Sequence, residues 1–212
     1  FGKNMIDADA INQYLDSDQF NVELSDPTST RQIVLNTSSD ILSEKDVRIA
    51  LQHATNKQNI SDGIFYGLEK PADTLFASTV PYCDIELEPY VYDLELAGQI
   101  LDEAGWKMGS GNVREKDGQP LNIDLLYNSD SVTEKSIAEY LQSEYQSIGV
   151  SLNIHGEEEQ SYRDNMKAGN FDMVFNICWG TPYDPQSSLA AMRAPVYGDY
   201  AAQLGLDDKA EI

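Results

Sequence analysis

Cysteine and histidine are scarce in this 212-residue chain, with two of each. Cys83 and Cys178 form no C-x-x-C pair, and His53 and His155 lie on separate segments, so there is no Cys/His set with zinc-ligand spacing. The two cysteines either pair in an exported protein or stay independent thiols; sequence separation does not bring their Cα atoms within bridging reach. Basic residues are also few: 14 Lys and Arg face 36 Asp and Glu, a formal net charge of −22. Such a surface repels phosphate, and no Lys/Arg cluster is interleaved with aromatics, which argues against a nucleic-acid partner. No apolar run approaches the ~20 residues that cross a bilayer. The G-x-S-x-G elbow, the P-loop, the strand-borne G-x-G-x-x-G and H-E-x-x-H are all missing, so nothing recommends an enzyme, and neither catalytic residues nor a cofactor are expected. His53, beside Leu51 and Ala54 on a helix, and His155, at a strand end, read as structural. The acidic runs Glu157–Glu159 and Asp84, Glu86, Glu88 lack the glycine and spacing of a calcium loop and read as solvated faces. The chain opens at Phe1 with no initiator Met, signal segment or lipobox cysteine, and reads as a piece of something longer.

Apolar side chains make up 41% of what is present, enough for a core at a length that buries roughly 70% of the unfolded surface. Residues 1–30 form a polar lead-in with one short helix near Asp9 to Leu15, and Ile33–Leu35 is a strand candidate. Ser43–Asp46 opens a helix over about 44–55, with Val47, Ala50, Leu51 and Ala54 on one face. A second helix runs from Lys57 to about Tyr66. The Pro-bearing stretch 71–92 is irregular. Asp93 caps a helix that carries Ala97, Ile100, Leu101 and Ala104 and stops at Gly105. Residues 109–118 read as a turn region with a hairpin signal at Asp117-Gly118. Leu121, Ile123 and Leu125 alternate as a strand. The capping box Ser131-x-x-Glu134 opens a helix to about Ile148, stopped by Gly149. A strand over Val150–Ile154, a helix from the carboxylates at 157–159 to Ala168, and a strand over Phe171–Ile177 complete a β-α-β-α-β series. The fold class is α/β: a mixed open sheet with helices packed on it.

One segment resists a purely structural reading: Cys178-Trp179-Gly180-Thr181-Pro182-Tyr183-Asp184-Pro185. It follows the last strand, where loops at strand carboxyl ends form ligand crevices in open α/β sheets. Two aromatics with polar tips sit four apart on a turn stiffened by two prolines, and Arg193 follows. Rings and a guanidinium would suit a small anionic or chelated ligand, by stacking and bidentate hydrogen bonding. The same rings could instead only plug the end of the sheet.

In this segment, and in ordered blocks over some 150 residues, the chain resembles the family-5 extracellular solute-binding proteins of peptide and nickel ABC importers. The blocks are Leu35-Asn36, Asp46–Leu51, Ala72–Ala77, Val80–Tyr82, Tyr92-Asp93, Ala104–Trp106, Arg114–Leu121, Gly156–Glu159, Trp179–Pro185 and Met192-Arg193; Arg114–Leu121 and the Trp179 block point to the nickel branch. The resemblance implies one large lobe of a two-lobed, type II periplasmic-binding-protein fold, with residues 1–30 leading in from the inter-lobe region and 31–212 forming the lobe. It implies ligand contacts from Trp179, Tyr183, Arg193 and Tyr197. Peptide-binding relatives place an aspartate three residues after the tryptophan to take the peptide ammonium; Pro182 stands there, which favours nickel or another metal held as a small-molecule chelate over an oligopeptide. The histidine that coordinates nickel in the nickel relatives is replaced by Tyr197. A neutral phenol is a poor nickel donor, so recognition of a whole chelate is expected instead. The implied partners are that ligand, or a short peptide, and membrane permease subunits, for a monomer working in the periplasm or anchored as a lipoprotein outside a Gram-positive cell. An α/β enzyme or interaction module without transport function is the alternative from another class.

Overall fold

Alternation of apolar side chains along three short runs builds the centre of the molecule. In the computed structural model, which describes residues 8–15, 17–27, 29–78 and 80–178, these runs become parallel strands. The order is α1 (Ala8–Leu15), β1 (Thr30–Leu35), α2 (Lys45–His53), α3 (Lys57–Phe65), α4 (Leu94–Glu103), β2 (Lys107–Met108), β3 (Arg114–Lys116), β4 (Gln119–Pro120), β5 (Asn122–Asn128), α5 (Val132–Ser147), β6 (Ser151–Glu157), α6 (Glu159–Ala168) and β7 (Met173–Cys178). The main sheet has the order β1-β7-β5-β6. Strand β5 is parallel to both neighbours, and β1 joins β7 antiparallel, which makes the sheet mixed and open as expected.

The two faces of this sheet differ. Ile123 and Leu125 of β5, Leu152 of β6 and Met173 and Phe175 of β7 point to the face covered by α2, α3, α4 and α5, which contribute Val47, Leu51, Phe65, Leu101 and Leu141 to one large core. On the other face, among the described residues, Leu126 and Val174 meet α6 through Tyr162 and Met166, with Phe171 and Val34 beside them. A strand with side-chain period two needs apolar residues on both faces where helices cover both, and β5 meets that at Leu125-Leu126.

Helix ends explain most boundaries. The carboxylate of Asp93 accepts from Leu96 N at 2.9 Å, and Gly105 follows the α4 C-cap at φ 91°. Ser131 Oγ accepts from Glu134 N at 3.2 Å, half of the expected capping box. At α2 the expected start differs. Ser43 Oγ turns back to Asp40 O, and the N-cap residue Glu44 makes no side-chain capping bond. Its carboxylate is taken instead by Lys116 Nζ at 2.8 Å and Trp106 Nε1 at 3.3 Å, a charge-assisted pairing that outcompetes a neutral cap.

Those contacts tie α2 to a second, three-stranded sheet, β2-β3-β4. The turn signal was right: Asp117 (φ 53°) and Gly118 (φ 80°) are both left-handed, as a two-residue hairpin turn requires. The flanking strands are only two or three residues long, too short to show alternation, so the sequence reads as turn where a small sheet forms. Arg114 opens β3 and is buried. Its Nε donates to Ile148 O at 2.7 Å, and one Nη donates to Trp106 O at 2.6 Å and Asp102 Oδ1 at 2.9 Å. The block Arg114–Leu121 is thus a staple between the carboxyl ends of α4 and α5. Cys83 is buried with a free thiol. Among the described residues no helix is long and apolar enough to cross a membrane.

Candidate functional site at the carboxyl end of the sheet

Among the parallel strands, β5 comes first, β6 second and β7 third, and they stand side by side as second-first-third. The chain goes from β5 through α5 to β6 on one side and then through α6 past β5 to β7 on the other, so strand order reverses at β5 and the β5–β7 seam is a switch point of the kind where open α/β sheets bind ligands. Pairing between β5 and β7 covers only Leu125↔Met173 and Leu126↔Val174. Beyond that, β5 stays with β6 as far as Asn128↔Glu157, and β7 stays with β1 as far as Thr30↔Cys178. The sheet therefore opens between β5 and β7 at its carboxyl end.

Polar side chains line this opening. Asn128, the last residue of β5, is gripped from two helices: its N–H donates to Glu134 Oε2 of α5 at 2.9 Å, and its Nδ2 donates to Glu159 Oε2 of α6 at 2.5 Å. The second arm of the capping box thus reaches a strand end and leaves the cap residue itself. Burial of the Glu134 carboxyl pushes its pKa above the usual carboxylate range, against the Asn128 hydrogen bond and the Arg31 charge, which pull it down. Arg31 stands opposite Ile177 on β1, held by Glu69 at 3.2 and 3.3 Å and stacked 5.4 Å from the Phe65 ring. The Tyr162 hydroxyl, from α6, donates to the Phe175 carbonyl, and burial raises its pKa.

Trp179, Tyr183, Arg193 and Tyr197, the residues expected to meet a ligand, lie outside the described residues. Described structure reaches Cys178, at the carboxyl end of β7, the strand that precedes Trp179 in the sequence and borders the opening. Sequence reading did not find Asn128 or Tyr162. Glu134 was visible only as a capping residue, because its true partner is set by which strand end α5 abuts. A cavity of about 590 Å³ lies between α6 and the sheet, lined by Asn36, Asp124, His155, Asn165 and Asp172, and reaches Leu126 and Glu157 towards the carboxyl end.

The histidines are structural in their contacts. His53 Nδ1 meets Val91 O at 2.8 Å and its ring packs edge-on against Tyr90, while His155 Nε2 sits 3.2 Å from Asp124. Glu157 and Glu159 are not bare acidic surface: Glu157 accepts from Ser161 and from Asn165 Nδ2, and Glu159 pairs with Arg163. No group of three or more His, Cys, Asp or Glu among the described residues is arranged to hold a metal ion.

Comparison with known proteins bears on this geometry. The chain is 38% identical over 208 residues to the nickel-binding periplasmic protein of Escherichia coli K12, covering 98% of itself and 40% of that relative. It is 27% identical over 165 residues to the oligopeptide-binding protein OppA of Lactococcus lactis, covering 73% of itself and 27% of OppA. NikA from Brucella suis, solved in complex with Fe(III)-EDTA, matches with a TM-score of 0.87 at 44% identity, over 97% of this chain and 41% of that one. The chain thus spans about two-fifths of the length of its nickel-binding relative. Residues 4–199 match the family model of the bacterial extracellular solute-binding proteins, family 5 (middle region), and the chain belongs to that family.

Proposed function

We propose that the full-length protein is the cargo-capturing component of an ABC importer and that its cargo is nickel, or a similar metal, carried as a small-molecule chelate. The observation that supports this above all is the divergence of β5 from β7 at the switch point, beside the strand that runs directly into Trp179. In this reading residues 31–212 are one lobe and residues 1–30 lead in from the other; cargo is captured when the lobes close. Trp179 and Tyr183 pack the ligand, Arg193 pairs with chelator carboxylates, and Tyr197 lies against the complex without binding the metal. The 38% identity to a nickel-binding protein and the Fe(III)-EDTA held by a relative 44% identical support a chelated metal over a bare ion. The protein works as a monomer with membrane permease subunits, in the periplasm or lipid-anchored outside a Gram-positive cell.

Calorimetric titration of the full-length protein with free nickel(II), nickel(II)–L-histidine and di- to pentapeptides tests this. Chelate binding tighter than free-nickel binding is expected, weakened at least about tenfold by Trp179→Ala, since a stacked ring contributes roughly a kcal/mol beyond its buried area. Tight binding of peptides alone refutes the metal assignment and leaves the oligopeptide reading that the OppA relationship supports.

A further inference from the structure

We infer that Tyr162 is a positioning residue for the cargo site: its hydroxyl anchors β7 at Phe175, where β5 leaves it, four residues before Trp179 in the sequence. The inference deepens the proposed function and rests on it for its link to cargo.

Strand β7 is supported unevenly along its length. At Met173 and Val174 it has β5 on one side and β1 on the other. From Phe175 to Cys178, β1 is the one strand that pairs with it among the described residues, and β1 is the outer strand of the described sheet. Phe175 is the first residue past the loss of β5, and its carbonyl takes the Tyr162 hydroxyl. Four residues later the chain reaches Trp179. One side-chain hydrogen bond therefore stands where pairing with β5 has ended, on the side of β7 away from β1.

The donor is itself fixed. Tyr162 is 8% exposed, with its ring set among Leu126, Phe171 and Val174. The first turn of α6 is held by Glu159, which binds Asn128 and Arg163, and its middle by Asn165 Nδ2, which donates to Glu157 at 2.7 Å. A hydroxyl on so constrained a ring loses little freedom in reaching the carbonyl, so its bond transmits the position of α6, and through Asn128 that of the β5 end, to β7. Both walls of the opening are thereby referenced to one helix.

The test is Tyr162→Phe in the full-length protein, which keeps the ring and removes only the donor. Tyr145→Phe is the control: that tyrosine is buried too, at 2% exposure, and its hydroxyl meets Thr55 Oγ1 at 2.9 Å near the carboxyl end of α5, so its loss costs a comparable hydrogen bond elsewhere. Native-state amide exchange without cargo should speed up about tenfold across residues 176–185 in Tyr162→Phe and stay unchanged there in Tyr145→Phe. The dissociation constant for nickel(II)–L-histidine should rise about tenfold in Tyr162→Phe and stay within about twofold in Tyr145→Phe. Unchanged exchange at 176–185 in Tyr162→Phe, or equal acceleration in both variants, overturns the anchoring role. Altered exchange with unchanged affinity for every ligand bound overturns the link to cargo. If wild type binds neither the nickel complex nor peptides, the receptor reading fails, and the exchange comparison still decides whether Tyr162 holds the strand.

Discussion

Replacing Arg114 with Met should cost about 3 kcal/mol, and the reason lies in what the guanidinium leaves behind. Its side chain is 7% exposed, and it donates to two carbonyls, Trp106 O and Ile148 O, at the carboxyl ends of α4 and α5. Both ends carry partial negative charge from the helix dipoles, which a buried cation offsets. Met fills the aliphatic volume but donates nothing, so two buried acceptors lose their partner at ~1–3 kcal/mol each. The third partner, Asp102, is 48% exposed, so solvent screening holds that ion pair to less than about 1 kcal/mol. The carbonyls, rather than the charge pair, therefore dominate. In scanning calorimetry the transition containing this lobe should fall by roughly 6–12 °C for Arg114→Met and by no more than about 4 °C for Asp102→Asn, at ~2–4 °C per kcal/mol for a unit of this size. Arg114→Lys keeps the charge but not the fork, and should lose more than half of what Met loses. Equal losses for Asp102→Asn and Arg114→Met would refute this reasoning. The Asp102 contribution also has a definite pH sign. The hydrogen bond from Arg114 lowers its folded pKa, so its stabilisation is present above the unfolded carboxylate range and is lost as pH falls through the folded value. Asp102→Asn should abolish that acid-side loss.

Ser131→Ala removes the oxygen that accepts from Glu134 N and should lower denaturant stability by about 1 kcal/mol. Gly149→Ala should destabilise by at least about 2 kcal/mol, because φ is +82° and an added Cβ would lie 2.6 Å from Met108 Sδ and 2.9 Å from Arg114 Cγ; Gly63→Ala, on the open face of α3, should stabilise by up to about 1 kcal/mol. Unfolding monitored by circular dichroism reads both signs. Burial pushes the Tyr145 hydroxyl up to about 12, so its neutral form is favoured by folding: that stability is full below pH 10 and is lost as pH rises from 10 towards 12. Tyr145→Phe should flatten this part of the alkaline stability profile, which denaturant titration at successive pH values would reveal.

Elements whose period repeats several times were legible from the residues alone. Val47, Ala50, Leu51 and Ala54 mark α2, Ala97 and Leu101 mark α4, and Ile123 and Leu125 mark β5, because each places buried side chains at the spacing its backbone dictates. The β2-β3-β4 sheet was not legible, since strands of two or three residues display no period and are held by Arg114 and Glu44 across long separations. Side-chain partners were the least legible. Ser43, Glu44 and Glu134 all occur where local rules assign caps, yet only Ser131 and Asp93 among the acidic and hydroxyl starts make the capping bond that their position suggests. A carboxylate seeks the strongest donor within reach, and which donor is within reach is decided by tertiary packing.

The same distinction governs the site. That two aromatics four positions apart, Trp179 and Tyr183, follow β7 with prolines beside them is a local fact of the sequence. That the strand opens away from its neighbour is not, because it depends on β7 crossing β5 to pair with a strand laid down some 140 residues earlier. Once β1 and β6 hold the outer sides, the right-handed twist between paired strands rotates β7 and β5 apart unless hydrogen bonds keep them together. Pairing stops after two residues, and Asn128 and Phe175 each turn to a side chain instead. The opening is therefore a product of topology, and the sequence contributes to it by supplying, at Asn128, Glu134, Glu159 and Tyr162, the polar groups that satisfy a backbone which strand pairing has released.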